Sequence, residues 1–159
     1  MTIRKTIVTD LAAVMGIYME ARELMRESGN PNQWHNSHPA QEIIEEDIRR
    51  GTSYVCIRDG EIIAVFYFNI EEDPTYYRID GQWISNAQYG VVHRIARGRN
   101  GAGAGAFCLN WCFGRHSNIR IDTHKDNAPM RALLGKLGFE YCGIIWIASG
   151  DERLAFQKI

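Results

Sequence analysis

The stretch ARGRNGAGAGAF, residues 96–107, places four glycines within a dozen residues of an otherwise ordinary globular sequence. Three readings compete for it: a flexible linker, a dinucleotide fingerprint, and a cradle for some other phosphate. Composition alone favours the linker, because glycine and alanine are common in unstructured connections. Context argues otherwise. The β-branched run YGVVHRIA stands directly before the stretch, and a helical pattern of Phe107, Leu109, Trp111 and Cys112 comes after it. The glycines therefore fall where a helix begins. A strand that feeds through glycine into a helix N-terminus gathers unpaired N–H groups and the positive end of the helix dipole at one point, which suits an anion.

Gly101 to Ala106 formally satisfies G-x-G-x-x-G/A, and Asp122 ends the next strand, where a Rossmann fingerprint would place its acidic partner. Two spacings oppose that reading. The fingerprint wants its first glycine at the strand end, whereas several residues separate Ala96 from Gly101. Too few residues follow Asp122 to supply the remaining parallel strands.

On either side of the glycines the chain alternates strands and helices. Ile3–Val8 reads as a strand, and Thr9 or Asp10 as the N-cap of a helix whose Leu11, Val14, Ile17, Tyr18 and Ala21 recur at helical spacing. That helix stops near Gly29. After the polar loop NQWHNSHP comes a second helix with Ile43, Ile44 and Ile48 on its inner face and Gly51 as its stop. SYVCIRDGEIIAVFYFNI reads as a hairpin closed by Asp59-Gly60, a dipeptide suited to a tight turn. Glu71 to Gln88, with Tyr76, Tyr77 and Trp83, is too long for a turn and reads as a binding loop or dimer contact. A strand at 119–123, a helix at 129–137 and strands at 139–147 and 153–157 complete a single α/β domain, residues 1–159, with one mixed sheet and helices on its faces.

Composition limits the partners. Apolar residues make up 45% and charged residues 23%, with a formal net charge of -1, which argues against a nucleic-acid or anionic-membrane footprint and points to a small partner. No apolar run reaches the ~20 residues of a membrane span, nor is there a signal-peptide core, so a cytoplasmic location is expected. Cys56, Cys108, Cys112 and Cys142 form no C-x-x-C pair and read as reduced, buried small hydrophobes. Cys108, Cys112 and His116 share a helix face but diverge too far along its axis to hold one ion, so no metal site is expected.

Farther along, DTHKDNAPMRALLGKLGFEYCG (residues 122–143) carries Asn127 ahead of a helix and Lys136-Leu137-Gly138-Phe139 leading into a strand. Together with the glycine stretch, in this element order, it resembles the GCN5-related N-acetyltransferase (GNAT) superfamily over essentially the whole chain. The resemblance implies a mixed, mostly antiparallel sheet of about six or seven strands flanked by about four helices. It implies acetyl-CoA as cofactor, with the pantetheine arm along the strand edge that ends at Ile95 and Ala96. The pyrophosphate would lie on the amides of Gly101, Ala102, Gly103, Ala104, Gly105 and Ala106, with Asn127 and Lys136 adding contacts. Asn100 stands where the family has Gln or Arg, with Arg97 and Arg99 close by.

Acetyl transfer needs a deprotonated amine held against the thioester, a stabilised oxyanion, and often an acid for the leaving thiolate. The resemblance implies a tyrosine acid two residues before Lys136, where this sequence has Leu134. Water, Tyr141 or Cys142 then substitutes, or that protonation is not limiting. His93, in the strand that borders the acetyl group, is the candidate base, with an ordinary pKa near 6.5; a structural histidine is the plainer alternative. Glu20 and Glu23 on the first helix are candidates for the acceptor site or simply solvated charges. Trp34, with His35 and His38, lines a substrate cleft or plugs a sheet edge. The expected activity is acetyl-CoA-dependent transfer to an amine of a small molecule or peptide. A non-catalytic CoA-sensing module is the alternative, a Rossmann-type dinucleotide-binding protein a more distant one, and a homodimer a further expectation.

Overall fold

The computed structural model describes residues 1–35 and 37–159; Asn36, in the polar loop NQWHNSHP, lies outside it. Strand β1 (Thr2–Lys5) leads through a 3-10 turn (Val8–Asp10) into helix α1 (Leu11–Glu27), followed by α2 (Gln41–Arg49) and the hairpin of β2 (Ser53–Arg58) and β3 (Glu61–Ile70). A short β4 (Asp80–Gly81), β5 (Gly90–Arg97), α3 (Ala104–Arg115), β6 (Ile119–Thr123), α4 (Ala128–Lys136), β7 (Glu140–Trp146) and β8 (Glu152–Lys158) complete the chain. The eight strands form one sheet in the order β1-β2-β3-β5-β6-β8-β7-β4. Every pairing is antiparallel except β5 with β6. A Rossmann arrangement is thereby excluded, because it needs a run of parallel strands. β4 adds a strand that the polar sequence around Asp80 does not announce. It pairs with Ile144 and Gly143 and draws the long 71–88 connection onto the sheet edge.

Local departures from the sequence reading have physical reasons. β1 ends at Lys5 rather than Val8, because Thr6 turns inward and binds Ser53 through its amide and its hydroxyl, at 2.9 and 2.7 Å. Asp10 does not cap α1. Its carboxylate accepts from the amide of Ile7 and from the Arg4 guanidinium, closing the preceding turn. Ile43 is exposed, and the inner face of α2 carries Ile44, Asp47 and Ile48 instead. Helical spacing from Ile44 leads inward to positions 47 and 48, and a charge is tolerated there because Asp47 meets Arg94 at 2.7 Å.

Side chains alternate across β3, so Ala64, Phe66 and Phe68 face α3 and α4 while Val65 packs against α1 and α2. On the far half of the sheet Tyr76 and Trp83 of the 71–88 connection, with the adjoining Tyr89, cover that second face. Each fully buried large apolar side chain stabilises the fold by about 2 kcal/mol relative to exposure. All four cysteines are free and buried. No helix among the described residues is long and apolar enough to cross a membrane.

Two features of β5 shape the cleft beside it. Its pairing with β6 is confined to Gly90 with Ile119 and Val91 with Arg120, after which the strands part. Against β3 it carries a bulge: Val65 faces Ala96 and Tyr67 faces His93, so two β5 residues oppose one. Arg94, inside the bulge, has φ of 48°, and its carbonyl accepts from the buried Tyr18 hydroxyl at 2.9 Å.

Candidate active site

Where β5 and β6 separate, the outer edge of β5 is left without a strand partner, and its backbone N–H and C=O groups become available to a ligand. Two cavities of about 550 Å³ each meet at this edge, sharing Met25, Ile95, Asn127 and Met130. One runs toward the glycine loop. The other opens between the α1–α2 connection, β5, β6 and the β7–β8 turn.

The first cavity is built by the backbone. The loop is wound by hydrogen bonds from the amide of Gly101 to Gly98 and from Ala104 to Gly101, both 3.0 Å. A Cβ at Gly101 would lie 2.6 Å from the carbonyl of Ile63, so the chain can pass there only as glycine. Gly103 precedes α3 with φ of 81°, a left-handed conformation that glycine adopts without strain. The amides of Gly105 and Ala106, in the first turn of α3, have no hydrogen-bond partner among the described residues. Two arginines hold the loop from outside. Arg58 donates to the carbonyls of Asn100 and Ala102 at 3.2 and 2.7 Å. Arg99 pairs with Glu23 and Glu27 on α1 at 3.2 and 2.7 Å, and its amide binds Glu20.

Glu20 and Glu23 do not line the acceptor cavity, because their carboxylates are turned to Arg99 and the glycine loop. Of the expected cofactor residues, Ile95, Ala96, Gly103, Gly105, Ala106, Asn127 and Lys136 line the groove. Asn100, Gly101, Ala102 and Ala104 do not: Gly101 and Ala104 are buried inside the loop, and the Asn100 and Ala102 carbonyls face Arg58. Asn127 makes two hydrogen bonds with its side chain. Its Oδ1 caps α4 by accepting from the Met130 amide, and its Nδ2 donates to Gln33 across the mouth of the cavity.

The second cavity is built by side chains from distant segments. His93 lies on its wall with Nε2 2.6 Å from Asp73 and Nδ1 4.0 Å from Asp122. Burial opposes ionisation of Asp73, but hydrogen bonds from His93 and Thr75 outweigh it and hold the carboxyl down at about 2. An ionised Asp73 accepts the Nε2 proton, which leaves Nδ1 with the lone pair of the neutral ring. The buried Tyr76 donates to Asp122 at 2.7 Å, its hydroxyl pushed up by burial and by that carboxylate. Trp34 also lines the cavity, edge-on to Tyr18 at 5.7 Å and to His38 at 6.0 Å. His38 is held below its ordinary pKa by burial and by Arg94 and Arg153. Thr123 also lines the cavity, its buried hydroxyl without a partner among the described residues.

No tyrosine lines either cavity among the described residues. Leu134, at the place of the family's tyrosine, is fully buried in the core. Tyr141 is exposed and packed edge-on to Phe156, and Cys142 is buried with its thiol near the Glu140 carbonyl and pushed up by burial. Neither lines either of these two cavities. The sequence reading missed Asp73, the Asp122–Tyr76 pair as a support for His93, and Arg153. Only Asp73 had a local signal: Asp-Pro-Thr is a cap pattern, and Asp73 does accept from the Thr75 amide and hydroxyl.

No family model and no curated protein matches the sequence. Solved structures do match. A GNAT family acetyltransferase from Streptococcus agalactiae superposes with a TM-score of 0.90 at 31% identity, covering 99% of this chain and 94% of that one. A GNAT family acetyltransferase from Listeria monocytogenes gives 0.72 at 18% identity over 99% and 93%. A GNAT superfamily phosphinothricin acetyltransferase from Sinorhizobium meliloti, solved in complex with AcCoA, gives 0.66 at 18% over 99% and 86%. The last two speak for the fold alone.

Proposed function

The chain belongs to the GNAT family of acetyltransferases, and on that premise we propose that it transfers acetyl from acetyl-CoA to the amine of a small molecule or peptide, with His93 as the base. The observation that carries the proposal is the Asp73–His93 pair, 2.6 Å apart, on the cavity wall where β5 parts from β6. A CoA-sensing role would leave that pair without a task.

The groove fits acetyl-CoA by its own features. Gly101 admits no side chain, Gly103 turns the chain in a conformation suited to glycine, and the free amides of Gly105 and Ala106 begin a helix with no acidic residue in its first turn. These amides would hold the pyrophosphate, with Lys136 as a nearby cation and the β5 edge at Ile95 and Ala96 beside the pantetheine arm. Bound there, the cofactor would supply an acetyl group activated as a thioester.

The acceptor amine arrives protonated, since aliphatic amines have pKa values near 8 to 10. His93 takes that proton at Nδ1, while Asp73 holds Nε2–H and fixes the ring. Asp122, 4.0 Å from Nδ1, balances the imidazolium so formed, and Tyr76 keeps Asp122 in place. Gln33, Trp34, His35 and His38 line the cavity on the side of the α1–α2 connection. No tyrosine lines the cavity among the described residues, and the proton taken up at Nδ1 is the one proposed to pass to the leaving thiolate.

The test is release of free CoA from acetyl-CoA across a panel of amines, amino acids and peptides, beside calorimetry with acetyl-CoA, CoA and NAD. Binding of acetyl-CoA with amine-dependent release is the expected result. Background release with every amine, or binding of NAD in place of acetyl-CoA, would sink the proposal.

A further inference from the structure

Two arginines are buried in this fold, and they are accommodated differently. Arg120, on β6, lies between the rings of Trp83 and Tyr89, at 4.2 and 4.0 Å, and donates to the carbonyl of Ser85 at 2.7 Å. Its charge is met by two π faces and a carbonyl. Arg153, at the start of β8, is 6% exposed and lines the acceptor cavity. Its guanidinium donates to the backbone carbonyls of Glu152 and Gln33, at 2.9 and 3.1 Å. Among the described residues it has neither a carboxylate at ion-pair distance nor an aromatic face. The nearest carboxylates are occupied elsewhere: Asp122 by Tyr76, and Asp151 by the Ser149 hydroxyl. Burial lowers the Arg153 pKa, with Asp122 and Asp151 pulling the other way. A guanidinium nonetheless stays charged at neutral pH, and a buried cation without a counter-ion is costly to the fold. The other arginine lining the cavity, Arg94, is already matched by Asp47 at 2.7 Å.

We propose that Arg153 is the recognition site for an anionic group on the acceptor, so that the substrate is a small amine that also carries a carboxylate. This rests on the acetyl transfer proposed above. The cavity is polarised to suit such a molecule. Asp73, His93 and Asp122 line it as groups that suit an ammonium, and Arg153 lines the same cavity as a cation without an ion pair among the described residues. Asp122 faces Ala155 across the β6–β8 ladder, two residues from Arg153 on the same side of the sheet. Strand geometry then puts their Cα atoms about 8 Å apart, so the amine and the anion sit on one short scaffold, as in an amino acid. A simple amine or an internal peptide lysine leaves Arg153 unpaired.

The experiment compares free α-amino acids, β-alanine and 4-aminobutanoate, each beside its own carboxamide, which differs only in the charge. Calorimetric titration into CoA-saturated protein reads binding without turnover, and steady-state assays with acetyl-CoA read kcat and KM. The expected result is at least one acid that binds, or is acetylated with a KM, at least tenfold below its carboxamide. Arg153→Gln should erase that ratio and Arg153→Lys should restore part of it, while the dissociation constant for CoA stays within twofold. Equal treatment of acid and carboxamide by the wild-type protein overturns the inference, even if Arg153→Gln does not fold. So does an Arg153→Gln variant that keeps the acid preference, or binding of none of the acids. If neutral amines are acetylated as readily as acids, this inference fails and acetyl transfer stands. If acids bind by way of Arg153 but no amine is acetylated, the reverse holds.

Discussion

The glycine-loop groove and the acceptor cavity touch at Ile95 and Asn127, yet they are made of different material. The groove is a shape of the main chain, set by Gly101, Gly103 and the first amides of α3, with side chains acting mostly as outside struts. The cavity is a set of side chains brought from Gln33, Trp34, His35 and His38, the 71–88 connection, two strands and the β7–β8 turn. A backbone site tolerates changes in surrounding side chains but not in the space the chain occupies. A side-chain site answers to single functional groups and to pH.

The severest test of that contrast is Gly101→Val. Its Cβ would meet the Ile63 carbonyl and Arg97, so the loop must move. Calorimetry should show acetyl-CoA affinity lower by ~100-fold or more, about 3 kcal/mol, in a protein whose melting curve remains cooperative. Next comes Asp73→Asn, which keeps the shape of the cavity and removes the charge that orients His93. Steady-state kinetics should show kcat reduced by ~100-fold, with the acetyl-CoA dissociation constant unchanged and the acid limb of the pH profile displaced.

Acid stability should follow the cavity too. The Asp73 carboxyl sits at about 2 when folded, below the usual carboxylate value near 3.9. Its contribution is therefore complete above about pH 4 and lost as pH falls toward 2, amounting to about 2 kcal/mol. His38 is depressed by burial and by Arg94 and Arg153, so its contribution is present above about pH 6.5 and fades on acidification. Asp47, raised by burial, works in the opposite sense. Melting temperature measured between pH 7 and 2.5 should fall throughout, and Asp73→Asn should flatten the curve below pH 4. The smallest effect belongs to Asn100→Ala. The carbonyl of Asn100, not its side chain, meets Arg58, so acetyl-CoA affinity by calorimetry should stay within about twofold.

The same division explains what could be read from the sequence. Hairpin, helices and glycine loop were legible because each rests on a local pattern: Asp59-Gly60 at a turn, isoleucines at helical spacing, glycines at a helix start. The family signature added the element order and, with it, the fold. The acceptor cavity rests on contacts between residues far apart in the chain, 20 positions for His93 with Asp73 and 120 for Arg153 with Gln33. No periodicity carries such pairings. His93 stands out because histidine is chemically conspicuous, whereas Arg153 in the closing strand looks like any surface charge. The partner of Glu20 and Glu23 was hidden for the same reason, since Arg99 lies more than seventy residues away.

The short pairing of β5 with β6 also bears on how the molecule moves. A sheet of eight strands that shares only two residue pairs at its middle is mechanically two panels, β1-β2-β3-β5 and β6-β8-β7-β4, joined by a narrow seam and by the helices packed over it. Panels so joined can flex like covers about a spine. A ligand lying along the open edge of β5 would act as the missing binding thread, stiffening the joint and slowing exchange of the amides on both margins with solvent. Occupancy and rigidity are then one variable, and the domain is at its most pliant when it is empty.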